Sequence, residues 1–157
     1  MDYTIRPIED SEINILDDFL YEAIFIPEGV KKPSQDIISK PELQIYVEGF
    51  GTEFGDLCLV AEVDGKIVGA VWSRIMDDYG HIDDETPSLA ISLYEAFRGH
   101  GIGTALMKKK LDLLRAKGFK RASLSVQKAN YAFGMYRKVG FKIVKDHGEE
   151  CVMLIEL

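Results

Sequence analysis

In the stretch EAFRGHGIGTALMKKKLDLLRAKGF, Gly99, Gly101 and Gly103 stand at alternate positions directly ahead of a run with helical periodicity. Such a turn leaves backbone N–H groups without intrahelical partners at the positive end of a helix dipole, where a phosphate is the natural guest. Glycine suits the task because an anion must approach the backbone closely and the chain needs positive φ there. A strand-to-helix turn that binds nothing has the same composition, so the turn alone leaves both readings open. Two nucleotide motifs are excluded. Thr104 and Leu106 occupy the places that the last glycine of G-x-G-x-x-G would take, and no Gly-Lys-Ser/Thr follows as in a P-loop.

Other chemistry-bearing residues are few. Asp83, Asp84 and Glu85 form an acidic run that either supplies a base or is simply a solvated loop. His81, His100 and His147 lack metal-ligand spacing with any other histidine, cysteine or carboxylate, so no metal site is expected. Cys58 and Cys151 sit in apolar, strand-like runs and read as small buried hydrophobes, with no histidine placed to activate either. Tyr136, on a short helical segment, reads without further context as a core aromatic. Asn130 reads as the cap of that segment.

These residues need elements to position them. YTIRPI reads as a strand, followed by a helix capped by Asp10 or Ser11 and carrying Ile13, Leu16, Phe19, Leu20 and Ile24. The segment from Pro27 to Pro33 is broken, and SQDIISKPELQIYVEGF is partly helical, with Pro41 opening a turn. Two β-rich runs flank Asp64-Gly65, which predicts an antiparallel hairpin with a two-residue turn. After the acidic loop, PSLAISLY is an apolar strand leading to the glycines. Leu106, Met107, Leu111 and Leu114 then give a helix over 102–117, ended by Gly118, with Lys108, Lys109 and Lys110 read as a solvated face. RASLSV is a strand, NYAFGMYRKV a short helix stopped by Gly140, and FKIVKD and CVMLIEL are two strands around His147-Gly148. The order β, helices, βββ, α, β, α, ββ describes a mixed α/β domain spanning residues 1–157.

With that order in place, RGHGIG, Arg98 to Gly103, resembles the Q/R-x-x-G-x-G/A signature of the Gcn5-related N-acetyltransferases, the GNAT superfamily. The strand SLAISLY, the helix to Gly118, RASLSVQ and NYAFGMYRKVGF match this family in order and spacing, so residues 86 to 145 resemble it closely. The N-terminal part is similar in outline only, and Glu95 stands where the family often has proline.

The resemblance implies a GNAT fold of six or seven mostly antiparallel strands and about four helices, with a parallel central pair splayed to admit acetyl-CoA. It implies pantetheine contacts from the backbone of Ile91, Ser92 and Leu93, and a pyrophosphate held by the amides of Arg98, Gly99, His100, Gly101, Ile102, Gly103 and Thr104. Asn130 would cap its helix or contact pantetheine. Tyr136 falls where the family has the tyrosine that protonates the departing CoA thiolate. The base would come from the acidic loop, with Glu85 best placed.

The implied activity is direct transfer of acetyl from acetyl-CoA to a primary amine of a small molecule or peptide, without a covalent enzyme intermediate. The alternative is a non-catalytic CoA-binding sensor of the same fold, and a longer acyl chain is not distinguished. Asp17, Asp18, Glu22, Asp77, Asp78 and Asp83 suggest a cationic acceptor.

Composition sets the outer limits. The chain has 157 residues, 46% of them hydrophobic, and a net charge of −7. That balance gives no basic footprint for nucleic acid or an anionic membrane. No apolar stretch approaches the roughly 18 residues of a membrane span, and MDYTIRPIED lacks the pattern of a signal peptide. A cytoplasmic protein, monomer or homodimer, is the expectation.

Overall fold

The hairpin at Asp64-Gly65 is the organising unit of the sheet. In the computed structural model, which describes residues 1–157, β2 (Leu57–Val63) and β3 (Lys66–Arg74) pair antiparallel across that turn. Asp64 and Gly65 have φ of 51° and 77°, the left-handed pair such a turn requires. β1 (Thr4–Pro7) pairs with β2, and β4 (Ser88–Leu93) pairs with β3, both antiparallel. On the far side, β5 (Arg121–Gln127) pairs antiparallel with β7 (Glu150–Glu156), which pairs with β6 (Lys142–Asp146). β4 and β5 run parallel and join the halves into one sheet of order β1-β2-β3-β4-β5-β7-β6.

Strand alternation sorts the side chains onto two faces. Leu59, Ala61 and Val71 pack with Ile102 and Leu106 of α3 (Ile102–Ala116). Cys58, Val60, Ala70 and Trp72 pack with Leu16, Phe19 and Leu20 of α1 (Leu16–Glu22) on the other face. β3 is thereby buried at every residue except Lys66. Gly69 is needed at its centre, because a Cβ there would lie 2.0 Å from Leu93 Cδ2 and 3.1 Å from the Ser92 carbonyl. The second half of the sheet packs Leu124, Met153 and Ile155 against the C-terminal half of α3 and against α4 (Ala132–Val139).

The N-terminal helix departs from expectation. Glu9, not Asp10 or Ser11, is the cap, and residues Asp10–Ile15 form a 3-10 stretch before α1, which ends ahead of Ile24. The reason is electrostatic. Glu12 reaches back to the Glu9 N–H at 2.9 Å while Arg6 holds Glu12 at 2.7 Å and Glu62 at 2.5 Å. The Arg6 hydrogen bond, with that N–H, holds the Glu12 carboxyl down to about 2. Pro41 opens the short α2 (Pro41–Gln44) at its first position, as expected.

Lys110 is a correction. The expected solvated face holds for Lys108 and Lys109, but Lys110 is fully buried on the sheet side of α3, and its Nζ donates to the Leu57 carbonyl at 2.5 Å. Its spacing from Leu106, Met107 and Leu114 puts it on the apolar stripe. The Asp56–Arg74 pair lies nearby, closed by two bonds of 3.0 and 2.9 Å, and Arg74 also donates to the Ile45 and Glu48 carbonyls.

Burial lowers the Lys110 ammonium from 10.5 to about 7. Between those values the unfolded chain keeps the proton that the folded chain loses. Stability therefore rises with pH through this window, and the full cost of a buried cation is felt below it. Lys110→Met is expected to stabilise the fold near pH 6 by roughly 1–4 kcal/mol. That gain should shrink towards about pH 10, as scanning calorimetry at several pH values would show; a gain independent of pH would contradict it.

Candidate functional site

The two halves of the sheet meet at one registered pair, Ser88 with Ser123. Beyond it β4 and β5 separate, so the outer edge of β4 from Leu89 to Leu93 has no strand partner on that side. The opening is a cavity of about 900 Å³. Ile91, Ser92 and Leu93 form one wall, and Leu124, Ser125, Val126 and Gln127 the other. The expected splay is therefore present.

The glycine turn closes one end. Glu95, in place of the family's proline, begins a 3-10 turn (Glu95–Phe97) that leads the chain into it. Gly99 and Gly101 have φ of 78° and 84°, and a Cβ on either would meet no protein atom within 4 Å. Gly101 is the residue before α3, with no side chain capping the helix. The first-turn amides of Ile102, Gly103 and Thr104 thus lack helical acceptors, and those of Gly99 and His100 are taken by no backbone carbonyl. The turn is a built cradle of donors, with Gly99, Gly101, Gly103 and Thr104 lining the cavity and His100 exposed.

Arg98 does not join that cradle as expected. Its amide already donates to the Glu95 carbonyl at 3.2 Å. Its guanidinium donates to the Leu93 carbonyl at 3.1 Å and to the Glu22 carboxylate at 3.1 Å. The side chain braces the turn against the end of β4 and against α1.

Tyr136 lies on α4, buried, its ring edge-on to Phe141 at 6.0 Å, and it lines the cavity. No fully buried side-chain polar atom lacks a partner, so the Tyr136 hydroxyl, which has none, opens onto the cavity. Burial, then the neighbouring Tyr131, pushes the phenol above its ordinary value and keeps it protonated. Asn130 is not the cap of α4, which is Tyr131; one residue earlier, its side chain accepts from the Ala132 N–H at 3.0 Å, and it also lines the cavity.

The acidic run does not reach the site. Glu85 is exposed in the loop, where its amide donates to Asp83 at 2.9 Å, and it is not part of the cavity wall. Asp83 is paired with Arg121, and Asp84 faces His81 at 3.7 Å. Of the acids expected around an acceptor, only Glu22 lines the cavity, and Arg98 neutralises it. Asp18 accepts from the Tyr94 hydroxyl, Asp78 from Tyr46 and Ser88, and Asp17 and Asp77 are exposed. Both cysteines are free and buried, and burial pushes the Cys58 thiol up to about 12. Neither is a nucleophile.

The structure adds three cavity-lining residues that sequence reasoning missed: Tyr46, Ser125 and Glu150. Tyr46 follows α2 in the least legible segment. Its carbonyl accepts from the buried Trp72 indole at 3.2 Å, and its hydroxyl donates to Asp78 at 3.0 Å. Glu150 opens β7 opposite Gln127. No local pattern marks either residue.

No helix is long and apolar enough to cross a membrane, and no three of the His, Cys, Asp and Glu side chains come together as a metal site would require.

Comparison with known proteins agrees with this geometry. The chain is 38% identical over 86 residues to a probable N-acetyltransferase camello of Xenopus tropicalis, covering 53% of this chain and 37% of that one. It is 32% identical over 102 residues to an N-alpha-acetyltransferase of Sulfurisphaera tokodaii, covering 59% and 60%. The chain thus spans between about a third and two thirds of the length of the curated relatives it matches. In fold it is similar to the PaiA N-acetyltransferase of Thermoplasma acidophilum, solved in complex with coenzyme A, with a TM-score of 0.73 at 19% identity over the whole of both chains. The description Acetyltransferase (GNAT) family matches residues 21–141, so the chain belongs to the GNAT family of N-acetyltransferases.

Proposed function

We propose that this N-acetyltransferase takes acetyl from acetyl-CoA and transfers it directly to a primary amine. The observation that carries the reading is the splay between β4 and β5. It joins a cradle of unpaired amides at Gly99–Thr104, an unpartnered strand edge at Leu89–Leu93 and the Tyr136 hydroxyl in one cavity.

The cradle fits a diphosphate, because its donors are backbone amides at a helix N-terminus and no Cβ intrudes. The open edge of β4 at Ile91, Ser92 and Leu93 offers strand-like hydrogen bonds to the amide groups of a pantetheine arm. Acetyl-CoA supplies a thioester carbonyl, on which an uncharged amine acts as nucleophile while the C–S bond breaks. Tyr136, kept protonated by its burial, gives its proton to the departing thiolate. With both cysteines buried and protonated, direct attack needs no enzyme nucleophile.

Two expectations follow. Tyr136→Phe is expected to lower turnover by about 10–100-fold while leaving CoA affinity within twofold; thiol release at saturating acetyl-CoA and titration calorimetry with CoA check the two parts. Unchanged turnover would remove the assigned role.

Gly101→Ala, in the left-handed region, is expected to cost about 1–2 kcal/mol of stability and to weaken CoA binding. In Gly103→Ala the new methyl would meet Leu93 Cδ1 at an ordinary 3.6 Å within a helix, so stability should hold. Any loss of CoA affinity in Gly103→Ala then reports direct crowding of the diphosphate. If neither substitution weakens CoA binding, the cradle is not its site.

A further inference from the structure

Three carboxylates line the cavity: Glu22, Glu95 and Glu150. The first two belong to the glycine-turn end and have cationic partners, Arg98 at 3.1 Å and Lys32 at 3.5 Å. Glu150 has none. Lys128, whose amide donates to the adjacent Glu149 carbonyl, is committed to Asp146 at 2.8 Å, and the one side-chain contact to Glu150 is a long bond from Gln127 at 3.5 Å. His147 gives Glu150 only its amide, across the β6–β7 turn, and its ring sits edge-on to Tyr79. A half-buried carboxylate without a cation in a reactive cavity calls for a use.

Tyr46 is beside it. The Glu150 charge is close enough to help raise the Tyr46 phenol, after burial and Asp78, and Ser125 adjoins the same hydroxyl. Because the Tyr46 proton is donated to Asp78, the lone pairs of its oxygen can only accept. Asp78 is fixed in turn by the Ser88 hydroxyl at 2.8 Å. The segment carrying Tyr46 is held from β3 by Trp72 and by the Arg74 bonds to the Ile45 and Glu48 carbonyls. The cavity therefore presents a fixed acceptor in the Tyr46 oxygen and an uncompensated one in Glu150, and an amine is a donor.

We propose that Glu150 is the general base of the transfer, with Tyr46 accepting a hydrogen bond from the same amine and so aiming its lone pair at the thioester. This rests on the acetyl-transfer reading above. In the step, the amine nitrogen forms the N–C bond as the C–S bond breaks. Before attack the bound ammonium gives one proton to a Glu150 carboxylate oxygen; the proton released as the amide forms leaves to solvent, and the thiolate takes its proton from Tyr136. Asp78 is a positioning residue acting through Tyr46.

The experiment measures kcat/KM from about pH 6 to 10 for the unaltered protein, Glu150→Gln and Tyr46→Phe. The acceptors are 2-phenylethylamine, spermidine and a short peptide with a free N-terminus, and CoA affinity is measured by calorimetry. Glu150→Gln is expected to lose about 10²–10⁴-fold near pH 7 with CoA affinity unchanged. The loss should narrow as pH rises and the free amine supplies itself. Tyr46→Phe is expected to raise KM for the amine more than it lowers kcat.

A Glu150→Gln enzyme within threefold of the unaltered one, or a loss constant at every pH, overturns this assignment alone. Failure of the unaltered protein to bind CoA, or to acetylate any of the three amines, overturns the acetyl-transfer reading and this inference with it.

Discussion

The architecture depends on a junction of two parallel strands that share one registered pair. At Ser88 and Ser123 the sheet is held together not by a ladder but by side chains reaching into the loop that precedes β4. Ser88 donates to Asp78 at 2.8 Å, Ser123 donates to the Gly80 carbonyl at 2.8 Å, and the Ser123 amide donates to the Pro87 carbonyl at 3.0 Å. Gly80 passes so close to β5 that a Cβ there would lie 3.3 Å from the Leu124 and Ser125 backbone. These contacts substitute for the ladder bonds that the splay removes, at a position where an unpaired buried polar group would be costly. The loop that read as a candidate acidic patch is the fastener that sets where the two strands part.

The second constraint is how charge is disposed around that opening. Buried or braced ions tie separate elements together: Arg98 links the glycine turn to β4 and α1, and Arg74 with Asp56 links β3 to the segment carrying Tyr46. Burying such groups costs several kcal/mol per ion before pairing is counted, so they are poor general stabilisers. Their value is in fixing positions, here those of the cradle and of Tyr46. Lys110 obeys the same arithmetic without a full ion partner, which is why its ammonium is the one lowered towards neutrality.

The fold was largely legible because its signals are local. The Asp64-Gly65 turn, the glycines before α3, Gly118 after it and Gly140 after α4 each require a positive φ that few residues supply, and each is a boundary in the structure. Tyr136 and Asn130 were reachable only through the family pattern, since a phenol on a short helix has no distinguishing spacing of its own. Lys110 was misread because three adjacent lysines suggest a solvated run, whereas the 3.6-residue period assigns the third of them to the core. Glu85 was misplaced because sequence proximity to β4 says nothing of which way a loop turns. Tyr46 and Glu150 come together across more than a hundred residues, through β3 on one side and the β5–β7 pairing on the other, and no local pattern encodes such a meeting.

Two parts of the cavity lining have opposite hydrogen-bonding characters. The glycine turn offers N–H groups, with Arg98 and Lys32 compensating the carboxylates nearby. Tyr46 and Glu150 offer oxygens whose protons are committed elsewhere or absent. A ligand with an anionic diphosphate at one extremity and an amine-receptive carbonyl at the other fits this gradient in one orientation only, because reversal would set phosphate oxygens against Glu150 and the Tyr46 oxygen. The polarity also bears on the acceptor. With Asp78, Asp83 and Glu22 all committed to partners within the fold, the net charge of −7 is not concentrated in the cavity. On the proposed reading, recognition of the acceptor falls to the unpaired carboxylate of Glu150 and to apolar walls that include Leu20, Phe25 and Leu43. On that reading, one amine on an apolar body suits this lining better than a polycation, for which further unpaired carboxylates would be needed.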